Sequence, residues 1–305
     1  MASLQPRVIE NDVWQVGILP QTGMSTAFGR IKHRGAWVDF MRPTPEESYG
    51  HASDCSSYML IPWSNRIKGG LFRFRGKDYQ LEVNAGDGTA IHGTTRDFAW
   101  ETELADGQTV VGSFDSRKNA GANFPFAFST RAEFRLDGPS FVNTVSLKNE
   151  GSEPMPAGFG HHPYFQRVLA GDADSAMLEV PCTEYFDLDM CIPKGPPLPV
   201  ESRLDFRKMR SISTLHVDDC LTGRVPGAPI RFSYPVSKLD VTMECDPLFE
   251  QIILYMPAGR TFYAVEPLTN ANDGFNLYDK GIRGSGVFVL EPGEARAATF
   301  VLRVV

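Results

Sequence analysis

Cysteine is scarce in this chain. Cys55, Cys182, Cys191, Cys220 and Cys245 are scattered, odd in number and without CxxC spacing. That excludes a disulfide framework and a zinc knuckle, and the thiols are expected to be buried and reduced, in a cytoplasmic setting. Positive charge is also short. Thirty Lys and Arg against 37 Asp and Glu leave a formal charge of −7. A nucleic-acid partner rewards clustered Lys and Arg, and an anionic membrane surface does the same, so neither is expected. No apolar run reaches the ~18 residues that a bilayer-spanning helix needs. The opening "MASLQPRVIENDVW" lacks a basic segment followed by an apolar one, so no secretory signal is expected. GxGxxG after a strand, GxxxxGKS, HExxH and GxSxG are all missing. The common nucleotide-binding, zinc-protease and hydrolase readings lose their usual support with them.

What is present is alternation. Hydrophobic residues make up 42% and charged residues 22% of 305, a globular profile with ample material for a core. In "LFRFRGKDYQLEV", Phe72 and Phe74 alternate with Arg73 and Arg75. Gly76-Lys77-Asp78 reads as a turn, after which Tyr79, Leu81 and Val83 resume the apolar face. Phe141, Val145 and Leu147 share one face of "FVNTVSLKN", and Ala298, Phe300, Leu302 and Val304 share one face of "RAATFVLRVV". No long segment carries a 3.6-residue period, although "LDFRKMRSIS" (204–213) has room for a helical turn. The 28 glycines and 22 prolines fall between the alternating runs. The expected fold is all-β, an antiparallel sandwich or barrel, in one domain spanning 1–305.

The chemical candidates are separated polar positions in apolar or glycine-rich contexts. Arg66, in "WSNRIKGG", precedes a glycine pair. Its guanidinium can donate to neighbouring hydroxyls, and it can equally be a surface arginine at a strand end. His92 precedes Gly93, where backbone can turn sharply beside a ligand; a strand-end histidine satisfied by backbone fits the fragment as well. His161 and His162 adjoin in "MPAGFGHHPYF". Pro163 favours extended backbone before it, and extended backbone sends neighbouring side chains to opposite faces. At most one of the two can enter a given site, and a shared metal is disfavoured. A single histidine there suits general acid–base work. Asp218 and Asp219 precede a Thr-Gly pair, where Asp also commonly caps a turn. Glu266 follows the apolar run "TFYAV", and a carboxylate in such a place is costly unless paired. Asn272, Asp273 and Gly274 read as a turn.

In this order, "PWSNRIKGG", "IHG", "NEGSEPMPAGFGHHPYF", "DDCLTG", "VEPLTNANDGFN" and "LEPGEARAATFVLRV" resemble the aldose 1-epimerase (galactose mutarotase-like) family over roughly residues 60 to 305. Pro163 stands where galactose-type members usually have Ser or Thr, and Asp219 where they often have His. This is the pattern of a divergent bacterial-type branch. The resemblance implies a large antiparallel β-sandwich with a sugar-binding cleft. It implies His162 as catalytic histidine, Glu266 as general base, and Arg66, His92 and an aspartate, Asp218 or Asp219, as sugar-binding residues. The implied chemistry interconverts α- and β-anomers by proton transfer, with no cofactor or metal and a small sugar as the sole partner of a monomer or homodimer.

Three rival readings follow from the same residues. A glycoside hydrolase would pair Glu266 with Asp218 or Asp219 and leave His162 without a role. A non-catalytic carbohydrate-binding protein would bind sugar without changing anomer equilibration. A hexose-phosphate mutarotase would want further cations at the cleft. Lys68, Arg73 and Arg75 lie near Arg66 in sequence, but alternation turns Arg73 and Arg75 toward solvent.

Overall fold

The period-two pattern determines which side chains meet. In the strand Phe128–Asp137, Phe128, Thr130, Ala132, Phe134 and Leu136 are buried and the residues between them are not. Ser140–Asn149 buries Phe141, Val145 and Leu147, and Ala295–Val304 buries Ala298, Phe300 and Leu302, with Val304 half-buried at the sheet end. Each buried phenyl contributes roughly 2–3 kcal/mol relative to an exposed one. These three strands are adjacent and antiparallel.

The structure is a computed structural model that describes residues 4–169 and 174–305. Its largest sheet has nine strands in the order Glu101–Ala105, Thr109–Asp115, Phe128–Asp137, Ser140–Asn149, Ala295–Val304, Leu239–Cys245, Ile230–Tyr234, Met177–Glu179 and Arg210–Ser211. An eight-stranded antiparallel sheet lies against it. Its central strands are Val217–Arg224, Gln251–Met256 and Phe262–Leu268, flanked by Gly160–His161, Met59–Leu60 and Tyr164–Gln166. Aromatic rings bridge the two sheets: Phe165 to Phe232 and His161 to Phe300, each with centroids 4.8 Å apart. A four-stranded N-terminal sheet from Arg7 to Asp39 joins the same core through Trp14, 6.0 Å from Phe40 and from Phe141.

Local details differ from the sequence reading at three places. The hairpin pairs Arg73 with Asp78 and Phe74 with Lys77, so its turn is Arg75-Gly76, both in left-handed backbone (φ 49° and 80°). Lys77 and Asp78 already belong to the return strand. The segment 204–213 contains no helix: a 3₁₀ turn, Ser202–Leu204, ends at its start and a two-residue strand, Arg210–Ser211, follows. The one α-helix among the described residues is Gly274–Asp279, which grows out of the turn at Asn272-Asp273. All five cysteines are free. Cys55, Cys182 and Cys220 are buried, whereas Cys191 and Cys245 are partly accessible.

Candidate active site

Register in the eight-stranded sheet builds the floor of a pocket. Asp218 pairs with Tyr255 and Tyr255 with Ala264; Cys220 pairs with Ile253 and Ile253 with Glu266. Directly paired residues project to one face, so Asp218, Tyr255, Ile253 and Glu266 emerge together. Tyr164, paired with Ala264, joins them. Loops and strand ends supply Tyr58, Asn65, Arg66, His92 and His162. These ten residues line a pocket of about 270 Å³.

The two adjacent histidines part company as extended backbone requires. His161 turns into the core against Phe300, with its Nε2 buried and unpartnered among the described residues. Burial alone pushes its imidazole down to about 3. His162 enters the pocket. Its backbone N–H donates to the Tyr58 carbonyl at 2.9 Å. Its ring stacks on Tyr58 (4.9 Å, 23°) and leans on Tyr164 (4.5 Å, 37°). Such contacts contribute roughly 0.5–1.5 kcal/mol each and fix the ring plane.

Nε2 of His162 lies 3.2 Å from Oε1 of Glu266, and both side chains are almost wholly buried. Burial, and then the charge of Asp218, hold the Glu266 carboxyl well above the usual carboxylate range. Burial, and then the Arg42 guanidinium, push His162 down. Both shifts favour the neutral pair, with the proton on Glu266 and an uncharged His162, over a buried carboxylate beside an imidazolium.

His92 sits in left-handed backbone (φ 65°), its N–H donating to the Asn65 carbonyl at 2.9 Å. Gly93 follows at φ 67°, where a Cβ would stand 2.1 Å from the Ile61 carbonyl oxygen. Only glycine allows the chain to pass and His92 to face the pocket. Burial, and then His162 beside it, keep His92 neutral. Oε2 of Glu266, Nδ1 of His92 and Nδ1 of His162 are buried with no hydrogen-bond partner among the described residues. Each orphan costs on the order of 1–3 kcal/mol, so the fold holds three polar atoms together here against a stability cost.

Arg66 reaches the pocket with its Nε donating to Oδ2 of Asp87 at 2.8 Å and Nη1 to Oδ1 of Asn65 at 3.3 Å. Asp218 is exposed at the pocket mouth, and partial desolvation within the concavity raises its carboxyl. Asp219 does not join them. Its position in the strand turns it to the opposite face, where Nη1 and Nη2 of Arg203 clamp its two oxygens at 2.7 Å each. So of the six sequence candidates, His162, Glu266, Arg66, His92 and Asp218 converge, and Asp219 serves an ion pair instead. Tyr58, Tyr164, Tyr255 and Asn65 also line the pocket without having been singled out. Tyr164 and Asn65 stand inside the quoted motifs; Tyr58 and Tyr255 carry no local signal. Among the described residues, no group of three His, Cys, Asp or Glu is placed to hold a metal ion.

A one-proton imidazole–carboxyl pair with a guanidinium and a second imidazole around it, on the face of a double antiparallel sheet, defines a polar acid–base pocket. The model of the aldose 1-epimerase family matches residues 30–303, and the chain belongs to that family. It is an enzyme of the epimerase/mutarotase type. Escherichia coli YphB is 25% identical over 285 residues, 88% of this chain and 91% of that one. Human galactose mutarotase is 26% identical over 154 residues, 48% of this chain and 43% of that protein. A galactose mutarotase-like protein from Clostridium acetobutylicum superimposes with TM-score 0.85 at 18% identity, covering 98% of this chain and 94% of its own. An aldose epimerase homologue from C. elegans does so with TM-score 0.82 at 18% identity, covering 98% of both.

Proposed function

We propose that the protein interconverts the α- and β-anomers of an unphosphorylated aldose, with Glu266 as general base and His162 as general acid. The observation that carries this reading is the 3.2 Å approach of the two groups. Ring opening takes a proton from the C1 hydroxyl and gives one to the ring oxygen. Both oxygens are bonded to C1, so the base and the acid must sit side by side within hydrogen-bond reach of one carbon's substituents. Glu266 accepts the hydroxyl proton while the C1–O1 double bond forms. The bond from C1 to the ring oxygen breaks, and that oxygen takes the proton of His162. Rotation about C1–C2 presents the other face of the aldehyde, and both transfers reverse. The favoured neutral pair must first move one proton from Glu266 to His162 across the 3.2 Å contact; the step then returns carboxylate and imidazolium to carboxylic acid and imidazole, with no change in net charge. A buried site favours such a step because no isolated charge is created.

Arg66, His92 and Asp218 are assigned to the sugar hydroxyls. The charge inventory favours a neutral sugar over a phosphate ester. Among the described residues, Arg66 is the one cation in the pocket lining and is already paired with Asp87, while Arg42 and Arg96 lie behind the Tyr164 and Tyr58 rings. Arg73 pairs with Asp78 and Arg75 with Glu291 at the surface. A glycosidase reading would draw its second carboxylate from Asp218 or Asp219, and the clamp of Arg203 on Asp219 removes one of these.

Polarimetry of freshly dissolved aldoses, with and without C6 phosphate, tests the proposal. Faster equilibration of at least one free aldose is expected. Acceleration confined to phosphate esters, or of none while sugar still binds, would overturn it.

A further inference from the structure

Asp87 lies outside the pocket, and no sequence motif pointed to it. Its surroundings give it a defined task. The strand Arg66–Lys68 pairs with Thr89–Ile91, and Asp87 sits in the turn just before Thr89. One carboxylate oxygen, Oδ1, is held by the Thr89 hydroxyl at 2.6 Å and the Thr89 N–H at 3.1 Å. The other, Oδ2, accepts from Nε of Arg66 at 2.8 Å. The turn therefore fixes the carboxylate before the carboxylate fixes the arginine.

On the opposite side, Asn65 lies in left-handed backbone (φ 54°), and its Oδ1 accepts from the Arg66 backbone N–H at 2.9 Å and from Nη1 at 3.3 Å. Nε and Nη1 are thus both engaged, and Nη2 has no hydrogen-bond partner among the described residues. A long arginine side chain carries about 2 kcal/mol of rotamer entropy, which a free one would lose on gripping a ligand. The brace removes that loss in advance, since preorganisation lowers the cost of binding.

We propose that Asp87 is a positioning residue that holds the Arg66 guanidinium with Nη2 directed to a sugar hydroxyl. This rests on the mutarotase reading for the identity of the ligand, but the brace itself can be tested without it. Asp87→Asn removes the charge while keeping the shape.

The expected outcome is an increase of about tenfold in KM, the scale of a lost charge-assisted hydrogen bond, with kcat changed less than about twofold. In an Arg66→Ala background the same substitution should change KM less than about twofold, because the residue it positions is gone. Asp87→Glu should recover part of the loss. The Nε–H resonance of Arg66 in ¹H–¹⁵N spectra reports the brace directly. It should exchange slowly with water in the wild type and rapidly in Asp87→Asn. If no aldose is turned over, the mutarotase reading fails while the spectra still decide the brace. Unchanged Nε–H exchange in Asp87→Asn would overturn the proposal. An equal rise in KM with and without Arg66 would also do so, since that marks general loosening of the 84–89 turn.

Discussion

Nε2 of His162 points at Oε1 of Glu266 across 3.2 Å, while the ring of His161, one residue earlier, lies 4.8 Å from the ring of Phe300 in the opposite sheet. One peptide unit thus separates a pocket histidine from a core histidine. His162→Asn and Glu266→Gln should each lower kcat by about 10²-fold or more, the scale of a lost general acid or base. His161→Asn should leave kcat within severalfold and instead lower the melting temperature. Polarimetry with circular dichroism separates the two effects. An inactive His161→Asn beside an active His162→Asn would reverse the assignment.

His161 also makes a prediction about pH. Its imidazole is held down to about 3 in the folded protein against 6.5 when exposed. Between those values the unfolded chain binds the proton and the native chain does not, so this residue's contribution is full above about pH 6.5. It is lost as pH falls toward 3, at a slope of up to ~1.4 kcal/mol per pH unit. A His161→Phe variant lacks that term. The drop in melting temperature from pH 7 to pH 4 should be smaller in the variant than in the wild type, and equal drops would contradict the neutral assignment.

The two neighbouring aspartates should behave differently. Asp218→Asn is expected to raise KM severalfold with little change in stability. Asp219→Asn is expected to lose roughly 1 kcal/mol through the ion pair with Arg203, whose side chain is about half exposed, and to leave KM nearly unchanged. Denaturant melts and initial rates on both variants check this.

Treatment with a chelator should leave mutarotation at its original rate, since the proposed steps move only protons between O1, the ring oxygen and two side chains. Activity that disappears and returns only with an added metal ion would require a different mechanism.

Alternation made most of the fold legible before any coordinates. The faces read for Phe141, Val145 and Leu147, and for Ala298, Phe300 and Leu302, are the faces that pack, because a strand buried on one side has no other register to adopt. Turn detail was less legible. Arg75 takes a left-handed conformation that its residue type disfavours, so the Gly76-Lys77-Asp78 reading fell one residue late. The helix Gly274–Asp279 is too short to display a period. The site divides the same way. His162 and Glu266 stand in recognisable segments, whereas Tyr58 and Tyr255 join the pocket, and Asp87 braces Arg66 from outside it, through tertiary placement that no local pattern encodes.

Asn65 and His92 both line the pocket in left-handed backbone, a conformation costing a side-chain-bearing residue on the order of 1–2 kcal/mol. Glycine at either position would relax the backbone but delete the Asn65 hydrogen bonds to Arg66 or leave a cavity where the His92 ring packs on Tyr58 and His162. Backbone strain and side-chain contact are thus tied together at both positions, and the strain cannot be relieved without losing the contact. An engineer seeking a robust catalyst should hold these two positions constant and look for stability elsewhere in the sheets.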